Sequence, residues 1–200
     1  MCARLSNITV PRQRRHSRKL NFRPPLPRRA IVWFPVFSDA APTARIQRFR
    51  AEHDPQFTKI APYVALVFPF HANMTLAQIA SHVKRTLAGW PHIPVTFHGV
   101  ESAADKFALL MCELRRDAVT RLHDKLYSGV LKQFLRDDIV YQPHITLGAS
   151  DDDAHFNRIM ADAELLFRDT SAATLRNLSI LTYHADGRIT VDETVTIKLV

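Results

Sequence analysis

Apolar residues along the chain follow two alternating periods, one of strands and one of helices. Ile31-Val32-Trp33-Phe34-Pro35-Val36-Phe37 is a continuous apolar run that predicts a buried strand. Pro35 inside it points to an edge or a bulge. Pro42, followed by Ile46 and Phe49 at spacing three, predicts a short helix to about His53. A strand over 63–70 follows. Thr75 with Gln78 forms a capping-box signature, and Leu76, Ile79, Val83 and Leu87 then make one apolar helix face closed by Gly89. Ile93 to Val100 predicts a strand. The second half repeats this order. Lys106 to Leu114 reads as a strand, and 117–135 as a helix with Val119, Leu122, Leu126 and Val130 inward. A strand over 143–149 comes next. Asp151-Asp152-Asp153 suits a helix N-terminus, with Phe156, Ile159, Ala163 and Leu166 on the inner face. Two closing strands, about 174–183 and 188–199, flank an Ala185-Asp186-Gly187 turn. The sum is α+β: two strand–helix–strand–helix–strand lobes around a cleft.

The chemistry concentrates in Pro143-His144-Ile145-Thr146-Leu147-Gly148. Alternation along a strand puts Ile145 and Leu147 on a core face. It leaves His144 and Thr146 on the other, roughly 6–7 Å apart. A hydroxyl can hold an anionic oxygen while an imidazole moves a proton to or from it. Pro62-Tyr63-Val64-Ala65-Leu66-Val67 echoes this stretch in the first half, and a duplicated strand suggests two copies facing each other.

Paired strands of this kind, each opened by Pro, resemble the 2H phosphoesterase superfamily and within it the 2'-5' RNA ligase-like proteins. The stretch from His53-Asp54-Pro55 to Ile60-Ala61-Pro62, then Leu66-Val67-Phe68-Pro69-Phe70, is similar to those proteins around their first motif. The resemblance implies a bilobal 2H phosphoesterase fold for residues 30–200, with two pseudo-repeated lobes around a central cleft. It further implies two His-x-Thr pairs across that cleft, one His as general base, the other as general acid, and both hydroxyls gripping a phosphate. The substrates implied are 2'-5' linked RNA or cyclic phosphodiesters, with no cofactor. His144 and Thr146 carry over as catalytic residues. The first copy departs from the pattern, with Tyr63 and Ala65 in place of His and Thr.

Tyr63 and His98 are the candidates for substrate binding. The Tyr63 phenol can hydrogen-bond a phosphate or donate a proton from a pKa near 10, or it merely lines a cleft that no longer turns over. Ala65 offers no hydroxyl. His71 shares the parity of Tyr63 but stands eight strand residues, roughly 26 Å, away, so His98 on a neighbouring strand is the better replacement. No spacing among the ten His suggests a metal site, and with only five Gly there is no phosphate-cradling loop. ATP-dependent ligation therefore has no support. Two functions stay open: a metal-independent phosphodiesterase impaired by the loss of its first motif, and a non-catalytic module holding an RNA end or nucleotide.

Composition adds bounds. Two hundred residues at 46% hydrophobic are enough for one domain with a real core. No apolar run approaches the about 18–20 residues of a membrane span. Cys2 and Cys112 stand far apart, and a reducing, cytoplasmic monomer is the default expectation. Nine of the 27 Lys and Arg fall in residues 1–30, which hold no acid, so the basic balance belongs to this tail and the rest is near neutral. Residues 1–29 lack periodicity and are expected to be disordered. An arm for RNA phosphates, an Arg-rich targeting peptide and an over-extended start all fit them.

Overall fold

The computed structural model describes residues 26–71, 73–103 and 106–198. Strand β1 (Arg28–Trp33) leads through helix α1 (Ala40–His53) to β2 (Val64–His71), then through α2 (Leu76–Leu87) to β3 (Ile93–Ser102). The order recurs as β4 (Phe107–Cys112), α3 (Arg116–Leu126), β5 (His144–Ala149), α4 (Asp153–Leu166), β6 (Ser171–Leu175), β7 (Asn177–Tyr183) and β8 (Ile189–Thr196). Local chemistry sets the helix starts. Asp39 caps α1 by accepting from Ala41 N, and Asp152 caps α4 by accepting from His155 N. Thr75 and Gln78 complete the expected capping box on α2.

The strands form two antiparallel sheets, β2-β1-β7-β8 and β5-β4-β3-β6. Strands β1 and β2 stay together while β3 joins the sheet of β4 and β5; β4, β5 and β6 share that sheet while β7 and β8 join the sheet of β1 and β2. Thus β3 pairs with β4, and β7 pairs with β1. The helices cross as well: α1 packs on β5, and α3 on β2. The two lobes are therefore interleaved copies and not successive halves. One apolar core spans both sheets, from Ile31 and Leu66 to Leu110 and Ile145.

Several expectations shift. Strand β1 begins at Arg28, so Arg28 and Arg29 belong to the domain and not to a disordered tail; the Arg29 guanidinium donates to the Met74 carbonyl at 2.7 Å. The rest of that expectation, over residues 1–25, lies outside the described residues. The strand is central and stops before Pro35, so the proline marks an end and not an edge. The predicted helix over 117–135 is two pieces. The α-helix ends at Leu126, and a 3-10 helix over Gly129–Phe134, entered at Gly129 with φ +55°, turns Val130 outward (43% exposed) and Leu131 inward. On α4, Leu166 is exposed, and Phe167 at the helix end takes the core position. The predicted strand 174–183 is divided at Arg176 into β6 and β7, which join different sheets.

Gly148 shows how tightly α1 seats on β5. A Cβ there would stand 2.7 Å from His53 Cβ and 2.9 Å from its carbonyl oxygen. Gly148→Ala is expected to lower stability by about 1–3 kcal/mol, read as a fall in denaturation midpoint. An unchanged midpoint would mean that α1 moves away without penalty.

Candidate functional site

The two echoed strands, β2 and β5, are the outer strands of their sheets and meet across the interior. An outer strand leaves backbone groups unpaired. On β2 three side chains satisfy them. The Tyr141 hydroxyl donates to the Ala65 carbonyl at 2.9 Å, and the His123 Nδ1–H donates to the Leu66 carbonyl at 2.9 Å. The Phe68 N–H donates to the Tyr127 hydroxyl at 2.9 Å. The His123 ring stacks on Tyr141 with centroids 3.6 Å apart.

His144 opens β5 and is half-buried. Its Nδ1–H donates to the Gln142 carbonyl at 2.6 Å, which leaves Nε2 of the neutral ring as the acceptor. Burial holds its pKa below the ordinary histidine value, against the opposing pull of the Gln142 carbonyl and Glu101. The ring is therefore neutral near pH 7, the form that takes up a proton. Thr146 follows on the same face, half-buried, and lines a pocket of about 340 Å³ with Tyr63, Phe107, Arg50, Asp54 and Asp151. His144 stands one alternate position up the strand from this wall.

Tyr63 precedes β2 and shares its face with Ala65, which pairs with Val32. Its ring packs on Phe34 at 6.3 Å. Tyr183 packs on the same small apolar cluster, and its pKa is raised by burial first and by Tyr63 second. His98 lies with Gly99 in a bulge opposite Met111, which in turn pairs with His144. Two strand spacings, about 10 Å, separate the backbones of the two histidines. Among the described residues His98 Nδ1 is buried without a hydrogen-bond partner. Tyr63 and Thr146 thus share a pocket, whereas His98 lies off its walls. His71 sits at the far end of β2, bonded to the Leu26 carbonyl.

Arg50 and Asp54 escaped the sequence reading. Arg50 is 2% exposed, yet it pairs with Asp54 at 2.7 Å and donates to the Ile60 carbonyl at 3.0 Å. Asp54 also accepts from the Gln56 N–H at 2.8 Å. This buried pair pins the loop leading to Pro62 and Tyr63, and so shapes the pocket floor. The available signal was an Arg four residues after Ile46, on the apolar face of α1, with an acid four residues further on.

Residues 37–187 match the 2'-5' RNA ligase superfamily. The Geobacillus kaustophilus protein named "Putative phosphoesterase GK0864" is 29% identical over 113 residues, which are 54% of this chain and 64% of that relative, so the match spans less than two thirds of its length. Among solved structures, E. coli LigT in its apo form superposes with TM-score 0.56 at 15% identity, covering 86% of this chain and 99% of LigT. LigT complexed with 3'-AMP superposes with TM-score 0.53 at 13% identity over the same shares. At those identities the likeness shows the fold.

Buried His123 and half-buried His144 tie stability to pH. Burial lowers the pKa of His123, as it does that of His144, although the Leu66 carbonyl and Asp124 pull the other way. The unfolded chain then binds protons first, so the stabilisation is complete above about pH 6.5 and is lost as pH falls through the lower folded values. The free energy of unfolding, measured in urea, should be smaller at about pH 5 than at about pH 7, and His123→Asn should flatten part of the fall. Equal slopes for both proteins would remove His123 from the account.

Proposed function

The chain belongs to the 2'-5' RNA ligase superfamily of 2H phosphoesterases, and from that premise we propose that its cleft hydrolyses a phosphodiester in 2'-5' linked RNA or a cyclic phosphodiester, through His144. The observation that carries this reading is the Nδ1–H bond to Gln142, which fixes a neutral imidazole with Nε2 available beside Thr146. His144 Nε2 takes the proton of an attacking water, and the Thr146 hydroxyl donates to a non-bridging phosphate oxygen. The water oxygen bonds to phosphorus while the bond to the ribose oxygen breaks. The leaving oxygen then takes its proton from solvent. Tyr63 serves it poorly, because a phenol is a weaker acid than the imidazolium that the missing histidine would offer. Turnover is accordingly slow. The 3'-AMP complex of LigT supports a nucleotide phosphate as the ligand class. A cytoplasmic setting fits the reading.

A second reading has its own support. The Tyr63–Tyr183 contact and the missing hydroxyl at Ala65 suit a cleft that holds an RNA end or nucleotide without turnover.

Purified protein assayed on 2',3'-cyclic nucleotides and 2'-5' linked oligonucleotides decides between them. His144→Ala should reduce hydrolysis by roughly 10²–10⁴-fold, and the wild-type rate should fall on the acid side with a midpoint below about 6.5. Tyr63→His with Ala65→Thr should raise it by roughly 10²–10⁴-fold, only while His144 is present. Hydrolysis indifferent to His144→Ala overturns the catalytic reading. Nucleotide binding with no turnover, in wild type and double variant alike, establishes the second.

A further inference from the structure

Two rows of side chains cross the face of the second sheet that carries His144 and Thr146. Met111 on β4 pairs with His144 on β5, and the register of Phe97 with Cys112, carried one residue on, sets His98 on β3 against Met111 from the other side. Leu109 pairs with Thr146 and, across its other edge, with Glu101. Paired residues of neighbouring strands point their side chains to one face. One row is therefore His98, Met111 and His144, and the next is Glu101, Leu109 and Thr146. In a regular strand His98 and Glu101, three residues apart, would point to opposite faces. The bulge at Gly99, φ +75°, brings them to the same one. Met111 and Leu109 are buried but stand apart from the apolar core that runs from Ile31 to Ile145, and they form a floor between four polar corners. His98 is half-buried, and among the described residues its Nδ1 is buried without a hydrogen-bond partner. Such an atom is costly, and a catalytic role is one of the few reasons to keep it.

Displacement at phosphorus puts the attacking and the leaving oxygen on opposite sides, each within hydrogen-bond reach of a proton carrier. Two such hydrogen bonds and the span between the oxygens add up to about 8–10 Å. The His98 and His144 backbones are about 10 Å apart with both rings on one face, which is the same size. We infer, on the reading of His144 and Thr146 as a phosphodiester site, that His98 is a further catalytic residue, the acid through which the solvent proton reaches the leaving oxygen. The phosphate lies above Met111, with the Thr146 hydroxyl donating to a non-bridging oxygen. His144 takes the proton of the attacking water as the water oxygen bonds to phosphorus. The bond from phosphorus to the ribose oxygen breaks, and the protonated His98 ring gives its N–H proton to that oxygen. His98 then regains a proton from solvent, and His144 returns its own. Glu101, on the adjoining row, favours the imidazolium that forms on His144. Both rings approach from one sheet, so the path through phosphorus is oblique. His98 therefore contributes less than a histidine facing His144 from β2 would, in keeping with slow turnover.

Two leaving groups test it, on the full chain. A 2',3'-cyclic nucleotide expels a ribose oxygen that needs a proton, whereas bis(p-nitrophenyl) phosphate expels p-nitrophenolate, which leaves without one. His98→Gln and His98→Asn, each checked by melting profile, should slow the cyclic nucleotide by about 10-fold, less than the 10²–10⁴-fold of an acid in line, and leave the p-nitrophenyl ester within about twofold. His144→Ala should slow both esters. In the Tyr63→His, Ala65→Thr background an imidazole faces His144 from β2 and takes over the duty, so adding His98→Gln should cost nothing measurable. Both esters slowed alike by the His98 variants would mean that the ring only holds the fold. Neither slowed would mean that it is idle. Either result, with hydrolysis still dependent on His144, overturns the role of His98 and leaves the proposed function intact. Hydrolysis indifferent to His144→Ala, or none by the wild type, overturns the proposed function and the role of His98 with it.

Discussion

The free edge of β2 is closed by side chains instead of by another strand, and much of the molecule follows from that. Backbone groups at a half-buried edge must find partners, because an unpaired one costs about 1–3 kcal/mol. A strand from the other sheet would supply them but would fuse the sheets and fill the cleft. Tyr141, His123 and Tyr127 supply them instead. Tyr141 stands just before β5, so its bond to Ala65 also sets the distance between the two echoed strands. The spacing between the two echoed strands is thus a by-product of satisfying one sheet edge.

The exchange of strands between the two sheets keeps that spacing rigid. Because β3 and β7 cross to the opposite sheets, neither repeat has a core of its own, and hinge-like opening of one against the other would break sheet pairing. The crossed helices act in the same way. Helix α3 covers β2 and carries His123, while α1 covers β5 closely enough to exclude a Cβ at Gly148. Arg50 and Asp54, on that same α1 and just beyond its end, fix the loop to Tyr63. A buried ion pair is weak evidence for net stability, but losing one partner strands a charge, so the pair specifies the loop's path.

Chemically the cleft is lopsided. The β5 side carries a neutral imidazole and a hydroxyl; the β2 side carries a phenol and a methyl. The Tyr63 ring lines both the pocket beside Thr146 and a larger cavity walled by Tyr183, Arg28 and Lys59. Proton transfer and ring packing ask different things of that position. Proton transfer needs a pKa near the working pH, while stacking needs only a ring face.

The amino-acid sequence by itself determined the alternation of strands and helices from β1 to β3, the capping of α2 and the shared face of His144 and Thr146. All of these depend on neighbours within a few residues, where periodicity and hydrogen bonding to the local backbone decide. It also carried the echo between the two motif strands, and with it the resemblance that residues 37–187 bear out. Other features needed the tertiary structure. The stretch read as one strand over 174–183 changes sheets at Arg176, and the equal burial of Leu175 and Leu178 on either side does not mark the change. Val130 and Leu166 continue their helical faces in sequence, but Gly129 and the end of α4 rotate the next residues, Leu131 and Phe167, into the core. The place of His98 rests on a bulge that displaces register by one residue, and the role of Arg50 rests on an acid and a carbonyl brought under it by a loop. Each of these is set by which distant backbone lies alongside, and hydrophobic periodicity, being a property of neighbours in the chain, holds no record of that.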